Sequence, residues 1–289
     1  MSAEQQSTAQ PSPPSPPTSP SEQPPTAVPS GFPAGASVGR EDHRGRLAAQ
    51  ANQNWWDSDA ARYVSEHAHY LDGFYWCPEM LSEKDARLLG NAAGKRILEV
   101  GCGQAACSAW LANELAGTGA TVVGFDISRG MLGYAPPSEA VLLQADAQAL
   151  PFRDNAFDIA FSAFGALPFV PDVQAVMADI HRVLVPGGRW VFSVTHPMRW
   201  VFPDDPTALT ASYSYFDTEY VETSESGEIL YAEYHRTFGE WIRTIRDSGF
   251  ELMNVLEPTW PNDLTETWGQ WSPQRGALFP GTAIFCCQA

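Results

Sequence analysis

The chain has 289 residues with 34 acidic and 17 basic side chains, a formal net charge of -17. Such a charge is repelled by phosphate backbones and anionic membranes, which argues against a nucleic-acid substrate and against polybasic lipid binding. No run approaches the ~20 apolar residues of a bilayer span, and the N-terminus lacks the basic and apolar regions of a secretory signal. A cytoplasmic location is expected, without membrane or nucleic-acid partners.

Ten of the 24 prolines fall within the first 33 residues, among Ser, Thr and Gln, with few large apolar side chains. Such a segment cannot offset the entropy of ordering its backbone. Residues 1–45 are therefore expected to be a disordered tail, either a solubilising extension or a docking peptide for a proline-reading partner. Residues 46–289 have the length of one α/β domain.

Residues 54–89 carry a helical pattern rich in Trp, Tyr and His. Residues 96–100 are a short apolar strand running into Gly101-Cys102-Gly103, and a helical stretch follows over 104–116. Further strands are predicted at 121–125, 140–144, 157–162 and 189–195, with a short helix at 128–134. Asp172 is placed to cap a helix bearing Val173, Val176, Met177, Ile180, Val183 and Leu184 at helical spacing. A second amphipathic helix carries Phe238, Trp241, Ile242 and Ile245, and strands close the chain at 251–257 and 282–287.

Strands alternating with helices predict right-handed crossovers and a doubly wound, mostly parallel sheet with helices on both faces. Ligands of such sheets sit outside the carboxyl ends of the strands. Gly101-x-Gly103, between a strand and a helix, lets the backbone approach a ligand closely. Read as Gly101-x-Gly103-x-x-Ala106, with Asp126 further on, it also fits a dinucleotide fingerprint.

The carboxylates around the loop separate the two readings. Glu99 lies inside its mouth, where it suits a cation and repels a pyrophosphate. Asp126 ends the second strand, placed to accept ribose hydroxyls, and Asp146 ends the third, placed to take an adenine amine. Loop bonding by Glu99, a turn at Asp126 and a cap at Asp146 are the structural alternatives.

The run Ile97-Leu98-Glu99-Val100-Gly101-Cys102-Gly103-Gln104-Ala105 resembles the first motif of class I S-adenosylmethionine-dependent methyltransferases. Gly124-Phe125-Asp126-Ile127-Ser128 with Met131-Leu132 resembles their ribose-binding segment. The runs Ala145-Asp146-Ala147-Gln148-Ala149-Leu150-Pro151-Phe152, Phe157-Asp158 and His181-Arg182-Val183-Leu184-Val185-Pro186-Gly187-Gly188 resemble segments of the small-molecule, UbiE-like branch. Ala105 stands where the family has a third glycine. The resemblance implies a Rossmann-like seven-stranded sheet with an antiparallel last strand. It implies S-adenosylmethionine as cofactor, S-adenosylhomocysteine as product, and contacts from Glu99, Gly101, Cys102, Gly103, Asp126, Ile127, Met131, Asp146, Ala147, Ser162 and Ala163.

Methyl transfer needs proximity and alignment, and a general base only where the nucleophile must lose a proton. His196, after the fifth strand, and His235 are the candidate bases, with His67 and His69 behind them; a backbone-bonded turn at His196 is the alternative. A base at His196 favours an oxygen nucleophile on a small organic acceptor. Trp55 and Tyr63 are expected to contact the cofactor from an N-terminal lid over 46–90, and 196–236 to form an acceptor-side insertion. Trp200 to His235 contains eight acidic residues and no Lys or Arg, which fits a solvated hairpin or a site for a cationic acceptor.

Cys77, Cys102, Cys107, Cys286 and Cys287 lack metal-ligand spacing, and they read as reduced thiols in a metal-independent protein. A monomer or homodimer is expected. A nicotinamide-dependent oxidoreductase and a non-catalytic cofactor-binding scaffold are the alternative functions.

Overall fold

The computed structural model describes the backbone from residue 38 and side chains from residue 44. The expected tail lies outside the described residues up to residue 37, and its last part, from Val38, belongs to a helix. The elements are α1 (Val38–Glu66), α2 (Glu83–Ala86), β1 (Arg96–Val100), α3 (Ala106–Glu114), β2 (Thr121–Asp126), α4 (Arg129–Leu132), β3 (Val141–Gln144) and β4 (Phe157–Ala163). They continue as α5 (Val173–Val183), β5 (Leu184–Thr195), β6 (Glu219–Thr223), β7 (Ile229–Tyr234), α6 (Phe238–Asp247), β8 (Glu251–Leu256), α7 (Pro273–Gly276) and β9 (Thr282–Gln288).

Seven strands form one sheet in the order β3-β2-β1-β4-β5-β9-β8. Strands β1 to β5 pair in parallel, and β9 runs antiparallel between β5 and β8, as the resemblance implied. The two-residue period of the strands divides the core between the faces. Leu98, Ala160, Trp190, Phe192 and Phe285 meet Val176, Met177 and Ile180 of α5 and Trp241 and Ile245 of α6. Their neighbours Ile97, Ile159, Phe161, Val191 and Ile284 face Leu111 of α3 together with Phe74, Trp76 and Leu89. Cys287 packs on the first face and Cys286 on the second, so the adjacent thiols point apart.

Two expectations are corrected. The helix expected over 54–89 ends at Glu66, because Phe74 and Trp76, two residues apart, are both buried against the sheet. That period suits an extended crossing, and Tyr75 bridges Ser82 there. The fifth strand starts at Leu184, before the expected residue 189, since Leu184 already pairs with Phe157 across an irregularity in the ladder. Asp172 does cap α5, accepting from Ala175 N at 2.9 Å. None of the helices among the described residues is long and apolar enough to cross a membrane.

Candidate functional site

At the carboxyl ends of β1, β2 and β4 the loops converge on one cavity, open to solvent on one side. Its floor is the turn after β1. Gly101 and Gly103 hold φ of +69° and +54°, and Cys102 N donates to Phe125 O at 2.9 Å, pinning the turn to β2. A Cβ on Gly101 would lie 2.4 Å from Ala166 N, so the loops after β1 and β4 touch only because residue 101 is glycine. Ala105, at the family's third glycine, keeps the left-handed conformation at φ +60°, a conformation that costs an L-residue about 1–2 kcal/mol.

Three carboxylates line this end of the cavity: Glu99, Asp126 and Asp146. Glu99 is 2 % exposed and accepts from Ser108 Oγ at 2.5 Å. Burial pushes its pKa up to about 8. Asp126 accepts from Gly103 N at 2.7 Å and from Ser128 N at 2.8 Å, and burial outweighs these bonds to raise its pKa. Asp146 accepts from Gln148 N at 2.9 Å. Among the described residues no Lys, Arg or His lines the cavity. Buried carboxylates without a cationic side chain are costly unless a ligand supplies positive charge and hydrogen-bond donors.

The remaining lining is uncharged and mostly apolar or aromatic. Ala49, Asn52, Trp56 and Tyr63 come from one face of α1, Tyr70 and Leu71 from the segment after it, and Phe164 and Phe169 from the loop after β4. Above them the connection between β8 and α7 brings in Trp268, whose ring lies 4.5 Å from Tyr70, 4.6 Å from His67 and 6.1 Å from Phe164.

The cavity gathers Tyr63, Glu99, Gly101, Cys102, Gly103, Asp126, Ile127, Met131, Asp146, Ala147 and Ala163. The other expected residues sit elsewhere. Ser162 is buried beneath the cavity, its Oγ donating to Val100 O at 2.7 Å and bracing β4 against β1. Trp55 lies against Tyr231 of β7, and Trp56 takes the position at the cavity. None of residues 196–236 lines the cavity; hairpin β6–β7 packs on α1, where Asn52 bonds both backbone groups of Ala232.

The two expected bases are also placed away from it. Nδ1 of His196 accepts from Met198 N at 3.1 Å, and its Nε2 donates to Glu257 at 2.8 Å. His235 donates through Nε2 to Tyr215 O at 2.9 Å and stacks on Trp200 at 4.8 Å; burial lowers its pKa. His69 meets Glu266 on the surface. Among the described residues no group of three or more His, Cys, Asp or Glu is arranged to hold a metal ion.

Residues 98–192 match the methyltransferase domain family. Methyltransferase GfsG of Streptomyces halstedii is 39% identical over 119 residues, 38% of this chain and 41% of that protein. A demethylmenaquinone methyltransferase of Tropheryma whipplei is 37% identical over 122 residues, 40% of this chain and 49% of that protein. The chain thus spans about half the length of the curated relatives it matches. Among solved structures, an S-adenosylmethionine-dependent methyltransferase from Mesorhizobium loti has a TM-score of 0.54 at 25% identity, covering 71% of this chain and 95% of that one. A structure from Listeria monocytogenes has the same fold, with a TM-score of 0.56 at 24% identity, covering 70% of this chain and 93% of that one.

Proposed function

We propose that this chain is a class I S-adenosylmethionine-dependent methyltransferase and that it methylates a small, largely apolar acceptor that brings its own nucleophile, a reading supported by its matched domain and its fold. One observation carries the reading: a single cavity has carboxylates at one end and uncharged aromatic side chains at the other.

When bound, S-adenosylmethionine supplies a methyl group activated on a sulfonium. Asp126 would accept from the ribose hydroxyls and Asp146 from the adenine amine, with Ile127, Met131 and Ala147 against the rings. Glu99 and the turn Gly101–Gly103 would hold the cationic amino acid end. Trp56, Tyr63, Tyr70, Phe164 and Phe169 exclude water and present ring faces, which attract a sulfonium.

At the acceptor end the titratable side chains are Tyr63, Tyr70 and Cys107, and burial raises the pKa of each. Groups held protonated do not serve as general bases. The acceptor is accordingly one that is acidic in its own right, a phenol or enol reacting at oxygen or at its conjugated carbon. An aliphatic alcohol does not fit. The negative charge of the chain argues against a nucleic-acid substrate, and unpaired cysteines suit the cytoplasm. We read the enzyme as metal-independent and as a monomer or homodimer.

Calorimetric titration with S-adenosylmethionine, S-adenosylhomocysteine and NADH tests the class, with Asp126→Ala as control. Micromolar binding of the first two, lost in the control, is expected; binding of NADH alone would overturn the reading. Screening phenols, enols and aliphatic alcohols with labelled methyl donor then tests the acceptor class. Turnover confined to aliphatic alcohols would sink that part.

A further inference from the structure

Helix α1 is joined to the turn after β2 by a carboxylate outside the cavity. Asp57 is exposed, yet its Oδ1 accepts two hydrogen bonds, from Ser128 Oγ at 2.6 Å and from Gly130 N at 2.7 Å. The backbones meet closely here. A Cβ on Gly130 would lie 2.7 Å from the Asp57 carbonyl oxygen and 2.8 Å from its Cα, so the contact requires glycine.

The contact continues inward. Ser128 is fully buried, and its Oγ also accepts from Met131 N at 3.0 Å, which fixes the first turn of α4 and the Met131 side chain in the cavity wall. The same Ser128 donates its backbone N–H to Asp126 Oδ1, while Gly103 N donates to Oδ2. Each oxygen of Asp126 thereby has one position taken by a backbone amide. The direction of the positions left for a ligand depends on where Ser128 stands, and Asp57 holds Ser128. Meanwhile Asn52, Trp56 and Tyr63 of the same helix form part of the cavity roof.

We propose that Asp57 is a positioning residue that orients Asp126 toward the ribose hydroxyls and couples their binding to the seating of α1 over the cavity. This rests on the reading of Asp126 as the ribose carboxylate. The coupling is reciprocal by linkage: what α1 contributes to ribose binding, bound ribose returns to α1.

The test is calorimetry on the full chain and its Asp57→Ala and Asp57→Asn variants. The ligands are S-adenosylhomocysteine and its 2′,3′-dideoxy analogue, which lacks the ribose hydroxyls. Alanine is a better helix former than aspartate, so the Ala variant does not weaken α1 by propensity. Asp57→Ala is expected to weaken S-adenosylhomocysteine about ten-fold, or about 1.4 kcal/mol, and to leave the dideoxy analogue unchanged. The Asn variant, whose amide oxygen still accepts both bonds, is expected within about three-fold of wild type for both ligands. Hydrogen exchange adds a second readout: S-adenosylhomocysteine should protect α1 amides in wild type and fail to do so in the Ala variant at saturation.

Equal weakening of both ligands, or of neither, in Asp57→Ala overturns the proposal and makes the contact purely structural. Wild type that binds both ligands equally refutes the ribose role of Asp126, and this inference with it. Wild type that binds neither refutes the methyltransferase reading itself.

Discussion

Glu99 and Ser108 share a hydrogen bond of 2.5 Å beneath the glycine turn, and no cationic side chain lines the cavity beside them among the described residues. Burial lifts the Glu99 carboxyl from 4.5 to about 8; the Ser108 bonds lower it, and the charge of Asp126 raises it. The folded protein therefore keeps a proton that the unfolded chain has lost. A raised carboxyl pKa contributes stability that is whole below the unfolded value and is lost as pH rises through the folded one. The melting temperature of the ligand-free protein should fall between about pH 4.5 and pH 8. Glu99→Gln should flatten that slope. Because a bound cation favours the ionised form, the stabilisation given by S-adenosylmethionine should grow with pH over the same window. A slope identical in wild type and variant would remove Glu99 as its source.

Gly101 is the tightest point of the turn. Its φ of +69° disfavours any side chain, and a Cβ would press on Ala166 N at 2.4 Å. Ala105 tolerates a similar φ with its own Cβ in place, so conformation alone is survivable here. Gly101→Ala combines strain with a backbone clash and should cost about 2 kcal/mol or more in urea unfolding. It should also abolish cofactor binding, since the loops after β1 and β4 must separate.

The succession of strands along the chain and the cavity floor were legible in the sequence because both rest on local signals. Ile97 and Leu98 alternate between the two faces of the core, and Glu99, Asp126 and Asp146 each end, or directly follow, a short apolar run. The roof was legible only in part. Trp56 stands seven residues before Tyr63, about 20° round the helix, whereas Trp55 stands eight before, about 80° away. Helical phase thus distinguishes the two tryptophans once Tyr63 is placed at the cavity. Nothing local reveals that Trp268 lies over Tyr63 and Tyr70, for that contact joins segments about 200 residues apart. Nor does sequence position show which way His196 points. A histidine at the carboxyl end of a central strand suits catalysis, and its bonds to Met198 and Glu257 are read only from the fold.

Replacement of the two histidines should accordingly leave the chemistry alone. His196→Ala and His235→Ala each remove a side-chain hydrogen bond and ring packing away from the cavity. A loss of about 1–2 kcal/mol of stability is expected for each. With the acceptor found by screening, kcat/KM should stay within about three-fold of wild type, because neither ring lines the cavity. A fall of about 100-fold in kcat would restore a base to the mechanism.

Asn52 makes α1 and the β6–β7 hairpin one unit. Its Oδ1 accepts from Ala232 N at 2.8 Å and its Nδ2 donates to Ala232 O at 2.9 Å, so the side-chain amide pairs with β7 as a neighbouring strand would. Ala232 has no exposed surface, and water cannot replace the lost partner without opening the interface. An unpaired buried backbone group costs about 1–3 kcal/mol, so Asn52→Ala should destabilise by about 2–4 kcal/mol. The variant separates two roles, since Asn52 also lines the cavity. If the hairpin only buttresses α1, the loss will be shared by stability and cofactor affinity, and limited proteolysis will show the hairpin cut first. If cofactor affinity falls while the urea midpoint holds, the amide acts in the cavity itself, and the hairpin is dispensable to the roof.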